Sequence, residues 1–199
     1  MAFLRSVGFF EPEPSIESGP VMLRPPRMSD YENWARLRRD SRDFLTPWEP
    51  TWPADDLTRS AYRCRVKRYI RDIREDAGYA FFLFDARTSR LAGGLTLSNV
   101  RRGAAQTASL GYWIGLPFAR KGLMTAAVRA VLAFGFENLR LHRVEAACLP
   151  TNEPSLRLLR KTGFAEEGYA RGYLKINGVW HDHVLFAMLA GDPRPKDTA

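Results

Sequence analysis

The stretch YWIGLPFARKGLMT, Tyr112 to Thr125, decides how the rest of the chain is read. Leu110 to Ile114 alternate and stay apolar, which predicts a strand. Pro117 breaks it, and a short basic turn centred on Gly122 leads into a helical pattern. That pattern puts Leu123, Ala127, Ala130, Val131 and Phe134 on one face. A strand, a basic glycine turn and a helix in succession expose backbone N–H groups at the positive end of a helix dipole. A pyrophosphate is held well in such a place. A plain helix start with a turn glycine gives the same local pattern, so the stretch alone leaves both readings open.

Before this stretch, residues 78–84 and 91–100 read as a hairpin joined by the polar turn 85–90, and residues 107–115 form its third partner. Upstream, Val21 to Arg24 is a short strand ended by Pro25-Pro26. Ser29-Asp30-Tyr31-Glu32 has the form of a capping box, opening a helix to about Arg39 that buries Trp34 and Leu37. A loop rich in proline and tryptophan, Phe44 to Pro53, precedes a second helix. Downstream lies a strand from Arg143 to Leu149. A helix follows, with Asn152 as N-cap, Pro154 in its first turn and Gly163 as its left-handed end. Strands around 164–173 and 180–189 close the chain, linked at Asn177-Gly178. The expected fold is a mixed α/β (α+β) sheet of about seven strands, mostly antiparallel, flanked by about four helices. Residues 1–20 are expected as an extended arm, 21–190 as the domain and 191–199 as a tail.

The chain has 199 residues, 45% of them apolar and 26% charged, the profile of an ordinary globular domain with a real core. No window approaches the roughly 18 apolar residues of a membrane span, and the N-terminal apolar cluster is too broken for a secretory signal. Two cysteines, Cys64 and Cys148, without a CxxC pair suggest neither a disulfide framework nor zinc. A cytoplasmic location is expected. The net charge of +8 favours anionic partners. Arg59, Arg63, Arg65, Lys67, Arg68, Arg71 and Arg74 crowd the second helix, where Tyr62, Val66, Tyr69, Ile70 and Ile73 recur at helical spacing. This is a solvated amphipathic face that could also meet nucleic acid, the ribosome or another acidic partner.

The element order, with a phosphate turn after the fourth strand, resembles the GCN5-related N-acetyltransferase (GNAT) superfamily. LHRVEAACLPTNEPSLRLLRKTGFAEEGYARGYLKINGVWHDHVLFAML and FLTPWEP (Phe44 to Pro50) resemble its RimJ/RimL branch, which acetylates protein N-termini. The likeness covers roughly residues 20 to 190. It implies a sheet splayed between the fourth and fifth strands, acetyl-CoA as co-substrate and no metal. Unpaired strand groups would meet the pantetheine amides. The pyrophosphate would rest on the N–H groups of Arg120, Lys121, Gly122, Leu123, Met124 and Thr125. One departure stands at this turn. The superfamily pattern Gln/Arg-x-x-Gly-x-Gly/Ala meets Ala119 and Met124 at its outer positions, which leaves the backbone mechanism in place and weakens the side-chain pattern.

By the same resemblance, the oxyanion donor is a backbone N–H on the strand at Tyr112, Trp113 or Ile114. Asn152 fixes the pantetheine, and the Ser155 hydroxyl interacts with the sulfur. Some relatives place a tyrosine seven residues after this asparagine as the acid, and here that position is Leu159. Some place a carboxylate before the Tyr-Leu of the penultimate strand, and here that position is Gly172. Glu145 and Glu49 are then the candidate bases, with a water relay to a backbone carbonyl as a third option. Either carboxylate could instead partner an arginine. An α-amine near 7.8 needs only about 1 kcal/mol to be free at pH 7, against roughly 4.6 for a lysine near 10.4. A chain without an evident strong base therefore suits an α-amine acceptor. His181 and His183 share a strand face, but no third ligand is spaced to join them in a metal site, so structural hydrogen bonding is expected there.

The leading expectation is an acetyl-CoA-dependent Nα-acetyltransferase for a ribosomal protein with an alanine-type N-terminus. Acetylation of a small-molecule amine, or a non-catalytic module binding acyl-CoA or the ribosome, are the competing readings. Monomer and dimer both fit the sequence.

Overall fold

The computed structural model describes residues 14–195. Chain order gives strands β1 (Ile16–Ser18) and β2 (Val21–Arg24), then helices α1 (Tyr31–Asp40), α2 (Arg42–Leu45) and α3 (Arg59–Arg74). Next come strands β3 (Tyr79–Asp85), β4 (Arg90–Arg101) and β5 (Thr107–Ile114), then α4 (Leu123–Ala133), β6 (Arg143–Cys148) and α5 (Glu153–Thr162). The hairpin β7 (Ala165–Ile176) and β8 (Val179–Leu189) ends the domain. One eight-stranded sheet runs in the order β1-β2-β3-β4-β5-β6-β8-β7. Every pair is antiparallel except β5 with β6.

Alternation along β3 shows how the helices divide between the faces. Phe81 meets Phe134, at the end of α4, edge-on with 5.3 Å between ring centroids. Its neighbour Phe82 faces Tyr62 of α3 at 6.5 Å, and Tyr62 in turn packs on Trp34 of α1 at 4.8 Å. Side chains alternate in a strand, so α1 and α3 cover one face and α4 covers the other. α4 packs against α5, which shares its face. Leu23, Leu83, Leu97, Val128 and Val144 lie fully buried between the layers.

Three local expectations are corrected. Residues 16–18 pair with β2 as an edge strand, so the sheet has eight strands rather than seven. The extended arm expected for residues 1–20 therefore does not hold there. Residues 1–13 and the last four of the tail lie outside the described residues. The capping box at Ser29 and Glu32 does not form. Asp30 instead accepts from the Arg27 N–H at 2.8 Å and is forked by the Arg24 guanidinium at 2.6 and 2.8 Å. Asp30, fixed by the charged fork, takes the carboxylate's part in a box that starts at Arg27, two residues before Ser29. Finally, Phe44 and Leu45 belong to the short helix α2 rather than to the loop.

The feature that positions the site is where β5 and β6 stop pairing. Their register runs only from Thr107–Arg143 to Ser109–Glu145. β5 continues to Ile114, still paired with β4, and β6 continues to Cys148, still paired with β8. The two strands therefore part company, and helices α4 and α5 both begin beyond the open end of the cleft between them.

Candidate active site

Backbone alternation fixes what lines the cleft. The Gly115 N–H donates to the Ala92 carbonyl at 2.8 Å, so Gly115 and Trp113 point their backbone groups at β4. Tyr112 and Ile114 then present N–H and C=O to the cleft. Trp113 contributes its side chain instead, on the α1 face. A Cβ on its partner Gly94 would lie 2.8 Å from the Trp113 Nε1, so only glycine leaves the indole room to lie across β4.

On the other face, the Tyr112 hydroxyl and Ser155 Oγ are 2.5 Å apart. Ser155 sits in the first turn of α5, where the Asn152 carboxamide accepts the Ser155 N–H at 3.2 Å as an N-cap. Burial drives the Tyr112 phenol above its ordinary value, with Ser155 opposing in part. The same cause pushes the Cys148 thiol up to about 11, again moderated by a hydrogen bond to Ser155. Both groups stay protonated at neutral pH. Tyr112, Ser155 and Cys148 thus form a compact neutral cluster at the floor of the cleft. It can donate hydrogen bonds to an arriving anion.

The turn after β5 holds Arg120 at φ 60° and Gly122 at φ 78°, both left-handed. Gly122 caps α4, and its carbonyl accepts from Ala126 at 3.1 Å. The N–H groups of Leu123, Met124 and Thr125 have no acceptor within the helix. Arg120 and Lys121 are exposed beside them, and among the described residues Arg120 enters no ion pair. This turn can cradle a phosphate group, with dipole and cations acting together.

The α1 face carries a second assembly. Arg38, 7% exposed, forks Glu49 through two contacts of 2.7 Å, and the Trp52 indole N–H adds a third at 2.7 Å. Its guanidinium stacks between Trp52, at 4.1 Å, and Trp113, at 5.0 Å. The Asn177 N–H, at the tip of the β7–β8 hairpin, donates to the Glu49 carbonyl at 3.2 Å. Residues 46–53 and the hairpin therefore form one wall beside the cleft.

The family model described as "Acetyltransferase (GNAT) domain" matches residues 21–165. The chain belongs to the GNAT acetyltransferase family. This acetyltransferase is 40% identical to "Probable N-acetyltransferase YjcK" of Bacillus subtilis over 172 residues, covering 86% of this chain and 95% of that one. It is 35% identical to the "[Ribosomal protein uS5]-alanine N-acetyltransferase" of Escherichia coli over 169 residues, 85% and 84% of the two chains. Among solved structures, Mycobacterium smegmatis RimJ in complex with CoA-disulfide superposes with a TM-score of 0.83 at 32% identity, covering 89% of this chain and 87% of that one. The ribosomal-protein-S5-alanine acetyltransferase of Vibrio fischeri gives 0.84 at 30%, covering 92% and 100%.

Of the residues singled out by sequence, Tyr112, Ile114, Asn152 and Ser155 gather at the cleft, and Arg120 to Thr125 at the turn by its open end. The two candidate bases do not join them. Both oxygens of Glu49 are bound by Arg38 and Trp52, which tie it to the α1 wall rather than to the Tyr112–Ser155 pair. Glu145 lies at the closed end, where Arg143 Nε donates to it at 2.9 Å and Arg101 stands at 3.9 Å. It is about 10 Å along β6 from Cys148, three residues at 3.3 Å each. Sequence reasoning missed the Tyr112 side chain, the Cys148 thiol and Arg38. Tyr112 and Ser155 are 43 residues apart, and no local pattern links them.

Among the described residues no group of acidic, histidine and cysteine side chains could hold a metal ion. No helix there is long and apolar enough to cross a membrane.

Proposed function

We propose that the chain transfers an acetyl group from acetyl-CoA to the N-terminal α-amine of a protein, with a ribosomal protein bearing an alanine-type N-terminus as the acceptor. The observation that carries this reading is the parting of β5 and β6 above the Tyr112–Ser155 pair. That cleft offers strand-edge amides along its length, a phosphate turn by its mouth and hydroxyl donors at its floor. Acetyl-CoA supplies the activated acyl carbon and a thiolate leaving group. Gly122 and the N–H groups up to Thr125 hold the pyrophosphate, aided by Arg120 and Lys121. The Asn152 carboxamide, already a cap, has its NH₂ left to steady the pantetheine.

The acceptor enters on the α1 face, along the wall built by Trp52, Arg38 and the hairpin. As the amine attacks, the cleft-facing N–H of Tyr112 or Ile114 meets the developing oxyanion. Ser155 and Tyr112 then hydrogen-bond the departing sulfur. A phenol whose pKa is raised is a weaker acid than a thiol, so the pair stabilises the thiolate as a donor, and solvent completes its protonation. The 35% identity with the uS5-alanine acetyltransferase of Escherichia coli supports the choice of acceptor.

Isotope-labelled acetyl-CoA, incubated with N-terminal peptides and with small amines, tests the reading. Transfer to alanine-started peptides is expected. Transfer restricted to small amines would reassign the acceptor.

A further inference from the structure

We propose that His183 is the general base for the attacking amine, reached through one bridging water. The proposal rests on the acetyl-transfer reading above and supplies the group which that reading lacks, since both carboxylates are held by arginines.

The register places His183 on the α1 face. β8 pairs Val184 with Cys148, whose side chain lies with Ser155 on the α5 face, so the adjacent residue of β8 projects to the opposite side. His183 therefore stands on the acceptor's side of the sheet, level with the end of β6 and one strand, about 4.8 Å, outside the cleft. That separation is too great for a direct hydrogen bond to an amine in the cleft and suits a single water.

The imidazole is held in one orientation. It is 2% exposed, its ring meets Tyr173 edge-on at 5.7 Å, and its Nδ1 lies 3.0 Å from the His181 carbonyl. A carbonyl can only accept, so Nδ1 carries the hydrogen and Nε2 keeps a lone pair. Nε2 has no partner among the described residues, yet it is not among the polar atoms sealed from solvent without one. A fixed tautomer with an open acceptor nitrogen is the arrangement that a general base requires. The charged and titratable groups that this face presents around it include His181 on β8, Tyr173 on β7, Glu145 with its partner Arg143 on β6, and the Arg38–Glu49 pair from α1 and its loop.

In the step itself, the amine nitrogen forms its bond to the acyl carbon and gives its proton to the water. The water passes a proton to His183 Nε2. The carbon–sulfur bond then breaks, its electron pair leaves on the sulfur, and His183 returns its proton to solvent.

His183→Asn tests this, because its amide can still donate to the His181 carbonyl. With a peptide acceptor that the parent enzyme acetylates, kcat should fall roughly 10²–10⁴-fold. The remaining rise of kcat with pH should follow the acceptor α-amine alone, near 7.8. The KM for acetyl-CoA and the melting temperature should stay at parent values. In His183→Ala, added imidazole should restore part of the rate. A His183→Asn enzyme keeping parent kcat and parent acid limb would overturn the proposal. So would a kcat loss matched by a rise in acetyl-CoA KM and a fall in Tm, which would make His183 structural. Should the parent acetylate only small amines, the acceptor reading fails while the same variants still test His183 with those amines.

Discussion

Tyr112 and Ser155 meet at 2.5 Å from different elements, and substitution tests the role proposed for the pair at the sulfur. A hydrogen bond to a charged group is worth about 1.5–3 kcal/mol, so Tyr112→Phe and Ser155→Ala should each lower kcat by roughly ten- to a hundredfold. Acetyl-CoA KM should change little, because the charge on sulfur develops late. The double variant should lose less than the sum, as expected of two groups acting through one contact. Full additivity in steady-state kinetics would contradict a shared role. Glu49 tests the opposite kind of assignment. With both oxygens bound to Arg38 and Trp52, Glu49→Gln leaves a buried guanidinium short of a partner and should cost about 1–3 kcal/mol of stability. Thermal unfolding should show that loss, while the acid limb of kcat stays in place. A limb that moved with Glu49 would return this residue to the chemistry.

The turn and helix from Arg120 onward act as one element, and their fit depends on two left-handed residues. Gly122→Val meets no steric obstacle from neighbours, but it forces a branched residue to φ 78°. That strain, about 1–3 kcal/mol, would reshape the N–H groups which start α4. Calorimetry should show acetyl-CoA affinity at least tenfold weaker, and an unchanged affinity in a folded variant would contradict the phosphate assignment. This element was legible in sequence because proline, glycine and apolar spacing are all local features. The strands were legible for the same reason, apart from β1, whose three residues are too few to show alternation. The parting of β5 from β6 was available only through resemblance, since residues 110–114 and 146–148 carry no mark of losing a partner. The fate of Glu49 was likewise hidden, because its partner Arg38 lies on a different element.

At the scale of the whole molecule, arginine–carboxylate contacts tie distant turns together and make the fold sensitive to acid. The Arg102 guanidinium holds the Asp76 carboxyl below its ordinary value, joining the β4–β5 turn to the end of α3, and Arg143 does the same to Glu167. The Gly172 N–H, helped by the Tyr169 hydroxyl, lowers Asp182 and fastens the bulge of β7. A folded-state pKa below the unfolded one means that the unfolded chain binds more protons in that window. These contributions are therefore complete above the ordinary carboxylate range, about pH 4, and are lost as pH falls through the lowered values. Melting temperature should hold on approach to pH 5 and drop below pH 4, with the drop smaller in Asp182→Asn. A drop centred near pH 6 would point to histidines instead. Whether the cleft delivers acetyl to a protein α-amine is answered by a site-mapped competition. Two alanine-started peptides, each containing a lysine, are mixed with the enzyme and acetyl-CoA, one with its N-terminus free and the other blocked. Tandem mass spectrometry should find the new acetyl on the free α-amine alone, while acetyl-lysine on the blocked peptide at a comparable rate would contradict the account.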